Sequence, residues 1–321
     1  KMAPTRGTVR VGDREWPLRT CDFPTIDPSD PYRLSEGERR VLDGLTTAFR
    51  ESDRLHRHVA FLYEQGSIYR VCDGNLLFHG CIPLEPDGTF STVICEGRPY
   101  RGRSYLDFCD RVARRAWTLG DQVALDWMYY LWCGAHSPLS GRVVKTFERS
   151  FVSDERAWEE PRDPYFDLSD SAGTCERILA EFGLKGPGSR IVNGHTPVRA
   201  SAGESPIRAG GRKLIIDGGF CSAYHTRTGI AGYTLVSGSH ALRIKAHRPF
   251  LGVEAALDDN ADILSDSDVI DRHAHQVLVA ETDKGAIIRS RIADLEALTH
   301  AFEQGTIPEH GLSGGTFAVG R

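Results

Sequence analysis

Two histidines stand at the ends of similar apolar runs, and histidine is the commonest metal ligand among protein side chains. The runs are NLLFHGCIP at residues 75–83 and RIVNGHTPV at residues 190–198, and they contain His79 and His195. Short apolar runs of this kind are typical of buried strands, so each strand would present its histidine near its carboxyl end. The glycine beside each histidine lets the backbone turn close to a metal or a phosphate, where a Cβ atom would collide. Either histidine alone is more often a core or surface residue, but two in the same surroundings favour a shared ligand role.

A third apolar run, KLIIDGGF at residues 213–220, leads to Asp217 and two glycines. Asp217 could bind a metal, orient a metal ligand or simply form the turn after the strand. Together, His79, His195 and Asp217 predict a site along one edge of a β-sheet. Neutral imidazoles suit Mn, Fe or Zn, and the same ions bind the hard oxygens of phosphate.

The composition excludes several classes of partner. The chain has 321 residues, of which 40% are hydrophobic and 26% charged, as in one large globular domain or two smaller ones. A formal net charge of -5 and a pI near 6.2 provide no basic field for nucleic acid or anionic lipid, so a small ligand is expected. No apolar run reaches membrane-spanning length, and the eight cysteines lack Cys-x-x-Cys spacing. We therefore expect a soluble, cytoplasmic protein with reduced thiols and no membrane contact.

The elements that must position the candidate residues follow from local patterns. A hairpin is predicted at residues 8–18, before an extended segment with several prolines. Ser35 and Glu38 form a capping box, and the helical apolar spacing after them predicts a helix that continues to residue 63. A second hairpin, with an Asp-Gly turn, carries His79 at the end of its second arm.

The helix predicted at residues 123–132 is apolar nearly all round, so we expect it to be buried with its aromatic residues in the core. The remaining predicted elements are short strands at 90–95 and 98–101, a helix with bulky residues at 105–117, an amphipathic helix at 171–182, a hairpin at 229–246, a strand at 277–280 and a helix at 289–302.

Several longer strings identify a family. They are HGCIP at 79–83, WCG at 132–134, FER at 147–149, NGHTPV at 193–198, GESPI at 203–207, IDGGF at 216–220 and TGIAGYT at 228–234. In this order they resemble the class III fructose-1,6-bisphosphatases of bacteria, which are members of the calcineurin-like metallophosphoesterase superfamily. The resemblance covers nearly the whole chain, from FPTIDP at 23–28 to the last helix.

The resemblance implies an α/β fold, which would be half of a two-sheet metallophosphoesterase-type sandwich with flanking helices. Residues 35–250 would form this C-terminal half. Residues 1–34 would precede it as a hairpin and an extended segment, and residues 251–321 would follow as a strand, a helix and a flexible tail.

The superfamily builds its metal site partly from Asp-x-His, Gly-Asp-x-x-Asp and Gly-Asn-His blocks, and none of these precedes His79 in this sequence. The chain therefore resembles the C-terminal half of the enzyme. By the resemblance, His79 and His195 bind one ion of a dinuclear divalent metal centre, with Mn²⁺ as the expected metal. An Asn and a bridging Asp would come from the upstream half. Pro197 stands where many superfamily members have a second histidine, so the other ion would gain no ligand from this chain.

The activity that the resemblance implies is metal-dependent hydrolysis of the 1-phosphate of fructose 1,6-bisphosphate to fructose 6-phosphate, a gluconeogenic step. Arg149, Arg199 and Arg208 are candidate substrate-binding residues, because a guanidinium fork matches phosphate geometry. Asn193 and Asp217 are candidate catalytic-site residues that would orient His195 or bound water. The implied partners are the sugar bisphosphate, the upstream half of the enzyme and other copies in a homo-oligomer. The lone chain is expected to be an inactive part of a phosphoric monoester hydrolase.

Two other functions stay open at this point. The chain could be a non-catalytic binding or regulatory module on the same fold. Alternatively, it could belong to a phosphatase that acts on another phosphomonoester, such as a phosphoprotein or a nucleotide.

Overall fold

The computed structural model describes residues 2–3, 6–27, 29–219, 221–229, 232–248, 250, 252–259 and 265–307. The chain divides into two compact units, Lys1–Gly232 and Tyr233–Arg321. The predicted flexible tail, at residues 308–321, lies outside the described residues.

The first unit contains ten strands and eight helices among the residues described, and their bounds are as follows. The strands are β1 (Met2–Ala3), β2 (Thr8–Val11), β3 (Arg14–Pro17), β4 (Tyr69–Cys72), β5 (Asn75–Phe78), β6 (Val93–Cys95), β7 (Arg98–Tyr100), β8 (Arg190–Asn193), β9 (Ile207–Arg208) and β10 (Lys213–Ile215). The helices are α1 (Glu36–Arg50), α2 (Asp53–Gln65), α3 (Gly102–Leu119), α4 (Gln122–Cys133), α5 (Thr146–Phe151), α6 (Tyr165–Leu168), α7 (Ala172–Glu181) and α8 (Ser222–Thr228).

The start of the chain follows the prediction in part. β2 and β3 pair as the predicted hairpin, and β1 adds a third strand. The capping box is present, since the Ser35 hydroxyl accepts from the Glu38 amide at 3.3 Å and the Glu38 carboxylate accepts from the Ser35 amide at 2.7 Å. The prediction of one helix to residue 63 is wrong. Ser52 starts a second helix there, because its hydroxyl accepts a hydrogen bond from the Leu55 amide.

A five-stranded sheet in the order β4-β5-β8-β10-β9 is the centre of the first unit. The β4–β5 hairpin turns at Asp73 and Gly74, which both have positive φ, as the Asp-Gly signal predicts. β5, β8 and β10 run parallel, with Ile191 in register with both Leu76 and Lys213. β4 and β9 pair antiparallel with the outer two. The carboxyl ends of three strands therefore lie at the same edge of the sheet.

The core lies on one face of this sheet. Leu76, Phe78 and Ile191 share that face, because register partners and alternate residues point the same way. α3 and α7 cover it with apolar residues at helical spacing, including the fully buried Leu106 and Ile178. Burial of each such side chain stabilises the fold by about 1.5–3 kcal/mol. The sheet that carries the candidate residues is thus fixed from one side.

The prediction that residues 123–132 are buried is wrong for much of α4. Leu131 is buried and Trp127 packs against the core, but Tyr129 is 66% exposed and Trp132 is 56% exposed. One face of α4 packs on α3, while the opposite face has no cover among the described residues. A helix that is apolar all round does not reveal from its own sequence what covers its second face.

The second unit contains β11 (Gly232–Ser237), β12 (Ala241–His247), β13 (Ser265–Arg272), α9 (Val253–Asp258) and α10 (Asp283–Glu303). The predicted hairpin corresponds to β11 and β12, and β13 adds a third strand. The predicted strand at 277–280 is wrong, because residues Val279–Glu281 form a short 3₁₀ helix. The predicted last helix is confirmed, but it begins earlier because the Thr282 hydroxyl caps it.

The fold is mixed α/β with several sheets, as expected. None of the helices in the described part of the chain is long and apolar enough to cross a membrane. The predicted division into three parts stays a prediction.

Candidate metal and phosphate site

The three predicted strand-end residues lie just beyond the parallel strands. His79 follows β5 directly, and His195 and Asp217 each come two residues after β8 and β10. Nε2 of His79 lies 3.2 Å from Nδ1 of His195, and the two rings meet edge to face with centroids 5.1 Å apart. The structure therefore brings the two residues predicted as metal ligands into contact, and their binding of a metal stays a prediction.

The separation of the two nitrogens fits a single divalent ion. Bonds from zinc to imidazole nitrogen are about 2.0–2.1 Å long, so two such nitrogens on neighbouring coordination positions lie about 2.9–3.4 Å apart. The 3.2 Å between Nε2 of His79 and Nδ1 of His195 falls in this range. His79 is exposed and His195 is partly buried, so one side of the pair is open to further ligands.

The electrostatics of His195 favour its neutral form, which is the form that binds metals. Burial, the imidazole of His79 and the guanidinium of Arg142 lower the pKa of His195. The Ser140 carbonyl and the Asp217 carboxylate act in the opposite direction. Nε2 of His195 is buried and makes no regular hydrogen bond to the described residues, although the Ser140 carbonyl is close enough to favour a proton on the ring. A proton on Nε2 would leave the lone pair of Nδ1 facing His79.

Asn193 holds the backbone around His79. It is 4% exposed, and its Nδ2 donates to the carbonyl oxygens of Phe78, His79 and Gly80 at 3.3, 2.9 and 3.0 Å. Its Oδ1 accepts from the Tyr165 hydroxyl at 3.1 Å. The sequence predicted that Asn193 would orient His195 or water, but its hydrogen bonds go to the segment of the other imidazole. It therefore positions His79 through the main chain.

Two glycines and one strained residue allow the backbone around the two histidines to pack closely. A Cβ on Gly80 would lie 2.3 Å from the Pro138 carbonyl oxygen, and one on Gly194 would lie 3.3 Å from Nδ1 of His79. His195 itself has a φ of +68°, a left-handed conformation that costs a non-glycine residue about 1–2 kcal/mol. Strain of this kind persists only where the surrounding structure enforces it, and it is common at functional sites.

His195 also lines a cavity of about 590 Å³ in the first unit. The walls come from β8, β10, α8 and the loops around them, and six cationic side chains there outnumber three acidic ones. This excess of positive charge suits a phosphorylated ligand. The cationic residues are Arg142, Arg162, Arg199, Arg208, Lys213 and Arg227, and the acidic ones are Asp167, Asp170 and Glu204.

The structure separates the three arginines predicted to bind substrate. Arg199 and Arg208 line the cavity, and Glu204 pairs with both of them, at 2.5 Å and 3.6 Å. Arg149 lies outside the cavity walls and pairs with Glu160 at 3.2 Å. The geometry therefore supports a ligand role for the first two, and the role predicted for Arg149 stays a prediction.

Asp217 forms the turn after its strand. Its carboxylate accepts a hydrogen bond from the Gly219 amide at 3.0 Å, and its carbonyl accepts from the Val198 amide at 2.8 Å. Of the three roles open from the sequence, the turn is the one with a direct contact. Its charge still acts on His195 by raising the pKa of that imidazole.

The predicted substrate-binding residues did not include the other four cationic cavity residues, Arg142, Arg162, Lys213 and Arg227. Arg162 pairs with Arg142 through an isolated β-bridge, so two arginines from the segments before and after α5 both line the cavity. Lys213 carried a usable signal, because a lysine at a core-facing position of an apolar strand requires an anionic or polar partner. Arg227 gave no such signal.

Comparison with known proteins identifies the family of the chain. The family described as Firmicute fructose-1,6-bisphosphatase matches residues 1–304, and the chain belongs to this family.

Individual relatives agree with the family match. The chain is 42% identical over 315 residues to a fructose-1,6-bisphosphatase class 3 of Clostridium novyi, which covers 96% of the chain and 47% of that protein. It is 42% identical over 311 residues to a fructose-1,6-bisphosphatase class 3 of Listeria monocytogenes, and the match covers 95% of the chain and 48% of that protein. It is 41% identical over 310 residues to one of Parabacteroides distasonis, and that match covers 95% of the chain and 46% of the relative. The chain thus spans about half the length of the curated relatives it matches. No solved structure matches it.

Proposed function

We propose that this chain is part of a metal-dependent phosphoric monoester hydrolase that removes the 1-phosphate of fructose 1,6-bisphosphate and leaves fructose 6-phosphate. One observation carries the proposal. Nε2 of His79 and Nδ1 of His195 lie 3.2 Å apart, and His195 lines a strongly cationic cavity. Two imidazole nitrogens close enough to share one metal ion, beside a positively charged cavity, are an arrangement suited to hydrolysis of a phosphomonoester. The names of the relatives supply the substrate.

His79 and His195 would hold one divalent ion of a dinuclear centre, which we expect to be Mn²⁺. Bound there, the ion would supply Lewis-acid chemistry to the phosphoryl group and acidify water. The chain's own contribution is to fix the two rings, through Asn193 and the glycine contacts, so that their nitrogens face the same point. Arg142 lies close enough to lower the pKa of His195 and lines the cavity, so its guanidinium would bind the phosphoryl oxygens.

Two imidazoles do not complete a hydrolytic metal centre, so we propose that an upstream half of the same enzyme supplies the remaining ligands. The exposed apolar side chains of α1 and α2 support this. Neither helix has a buried residue, and Val41, Phe49, Phe61 and Leu62 are each more than 60% exposed. Large exposed apolar faces mark interaction surfaces. The upstream half would cover such faces and complete a two-sheet metallophosphoesterase-type sandwich. Homo-oligomer formation and a cytoplasmic location stay predictions.

The test compares phosphate release by the chain alone with release by the chain assembled with the upstream half of a class 3 relative. With Mn²⁺ present, we expect release from fructose 1,6-bisphosphate only in the assembled protein, and loss of release after treatment with a chelator. Undiminished activity of the chelated protein would contradict the proposal.

The two alternatives give different results in the same assay. A binding or regulatory module predicts no release from any substrate by the assembled protein. A phosphatase for another phosphomonoester predicts that fructose 1,6-bisphosphate is hydrolysed no faster than a nucleotide or a phosphopeptide.

A further inference from the structure

Two cations face each other across the antiparallel pair of β9 and β10. Arg208 is the register partner of Lys213, and both side chains line the cavity. Like charges directly opposite each other on neighbouring strands destabilise a sheet. Asp170 lies 3.8 Å from Arg208 and 3.6 Å from Lys213, so one carboxylate serves two cations. Glu204 also pairs with Arg208, but it pairs with Arg199 too, so two carboxylates serve three cations and this wall of the cavity carries an excess of positive charge.

Lys213 is buried without a full set of partners. Its side chain is 4% exposed, and its Nζ donates one hydrogen bond, to the Ser169 hydroxyl at 2.6 Å. An ammonium group has three donors, and its other contacts are an ion pair with Asp170 at 3.6 Å and the face of the Tyr165 ring, whose centre is 5.2 Å away. Burial lowers the pKa of Lys213, which records how poorly its charge is solvated. If Lys213 had only a structural role, an apolar side chain at its position on this strand would make the fold more stable.

Arg208 has spare donors as well. Its Nε is buried and has no hydrogen-bond partner among the described residues. Its terminal nitrogens reach carboxylates only at 3.6 Å and 3.8 Å, to Glu204 and Asp170. Glu204 binds Arg199 more closely, at 2.5 Å, so its carboxylate is shared between two arginines of the cavity wall.

This cation pair lies further back along the sheet than the imidazoles. Lys213 is level with Ile191 and Ile215 is level with Asn193, so two residues of strand, about 6.6 Å, separate the Lys213 backbone from the sheet edge. His195 follows β8 beyond that edge, where Arg142 lies close enough to act on its pKa. One cavity therefore has cationic groups at two levels, as a ligand with a phosphate at each end requires.

We propose that Arg208 and Lys213 bind the phosphate of the substrate that is not hydrolysed, the 6-phosphate, and so select a sugar bisphosphate over a monophosphate. This assignment rests on the proposed function for the reaction at the other phosphate. Asp170 and Glu204 keep the two cations in position until the dianion binds.

The first experiment needs neither metal nor activity. Calorimetric titration of the full chain with fructose 6-phosphate, in the presence of a chelator, measures the subsite alone, with fructose as the unphosphorylated comparison. Loss of a charge-assisted hydrogen bond should weaken fructose 6-phosphate binding about 10- to 100-fold in Arg208→Gln and in Lys213→Met. The matched control, Arg156→Gln, removes an exposed guanidinium outside the cavity and should change the affinity less than twofold.

Thermal unfolding shows whether each variant is folded. If Lys213→Met does not fold, the partly exposed Arg208→Gln decides the question alone. Wild-type affinity in a folded Arg208→Gln variant would overturn the proposal, as would equal affinity of the wild type for fructose and for fructose 6-phosphate.

A second experiment separates failure of the subsite from failure of the proposed function. In the assembled protein, both variants should raise the KM for fructose 1,6-bisphosphate about 10- to 100-fold and leave the KM for fructose 1-phosphate unchanged. Equal increases for both substrates would refute the 6-phosphate assignment. An assembled protein that hydrolyses neither substrate, while its chain still binds fructose 6-phosphate through Arg208 and Lys213, would refute the proposed function and leave the subsite standing.

Discussion

Substitution of Asn193 by alanine should loosen the His79 segment and destabilise the fold. The change removes an acceptor for the buried Tyr165 hydroxyl and a donor to three consecutive carbonyl oxygens. A buried polar group left without a partner costs about 1–3 kcal/mol, and one or two groups at this site would lose theirs. We therefore expect a loss of about 2–4 kcal/mol in the free energy of unfolding. The matched control is Tyr165→Phe, which removes one hydroxyl and should cost about 1 kcal/mol.

The assay is unfolding in urea followed by tryptophan fluorescence. The expected loss for Asn193→Ala lowers the midpoint by about 1–2 M, given typical urea slopes. Because the bonds of Asn193 go to the His79 segment, the same variant in the assembled protein should also bind Mn²⁺ about 10-fold or more weakly, while Tyr165→Phe should bind it nearly as the wild type does. Wild-type stability and wild-type Mn²⁺ affinity in Asn193→Ala would refute the positioning role.

Three further predictions follow from individual contacts. His79→Ala and His195→Ala should each weaken Mn²⁺ binding by the assembled protein at least 10-fold in a titration followed by electron paramagnetic resonance, and unchanged binding in both would contradict a shared ion. Gly80→Ala should lower the melting temperature by several degrees, because its Cβ would lie 2.3 Å from a main-chain oxygen, whereas Gly37→Ala has open space and should not lower it. Burial raises the pKa of Asp163 in the folded protein above its ordinary value of 3.8, because the buried site favours the neutral acid. The stability that this preference contributes is fully present below pH 3.8 and is lost as the pH rises through the raised pKa. Asp163→Asn keeps an acceptor for the two amides that bind Asp163 but cannot ionise. In thermal unfolding, the stability of this variant relative to the wild type should therefore increase as the pH rises from 4 to 7. A difference in stability that stays constant across that range would contradict the prediction.

The sequence predicted the part of the site that local patterns determine. His79 and His195 follow apolar runs, and an apolar run beside a glycine marks a strand end wherever it occurs. Parallel pairing of β5 and β8 then brings the two rings together, since the carboxyl ends of parallel strands lie at one edge. The role of Asn193 was predicted only in outline, because its partners belong to a strand more than a hundred residues earlier.

The cavity residues were harder to predict, because most of them come from irregular segments. Arg142 and Arg162 pair through one isolated bridge and line the cavity, and Arg149, seven residues from Arg142, does not line it. Loop arginines look alike in sequence, and only the tertiary path decides which of them reach a site. The exposure of α4 could not be predicted for a related reason, since the surface that covers its second face is not encoded in the helix itself.

The most direct test is hyperfine spectroscopy of Mn²⁺ in the protein assembled with an upstream half. The spectrum counts the histidine nitrogens bound to the ion. If Nε2 of His79 and Nδ1 of His195 share one cation, the wild type should show coupling to two imidazole nitrogens at one ion, and each single alanine variant should show coupling to one. A spectrum without imidazole coupling, or one that neither variant alters, would contradict the shared metal site.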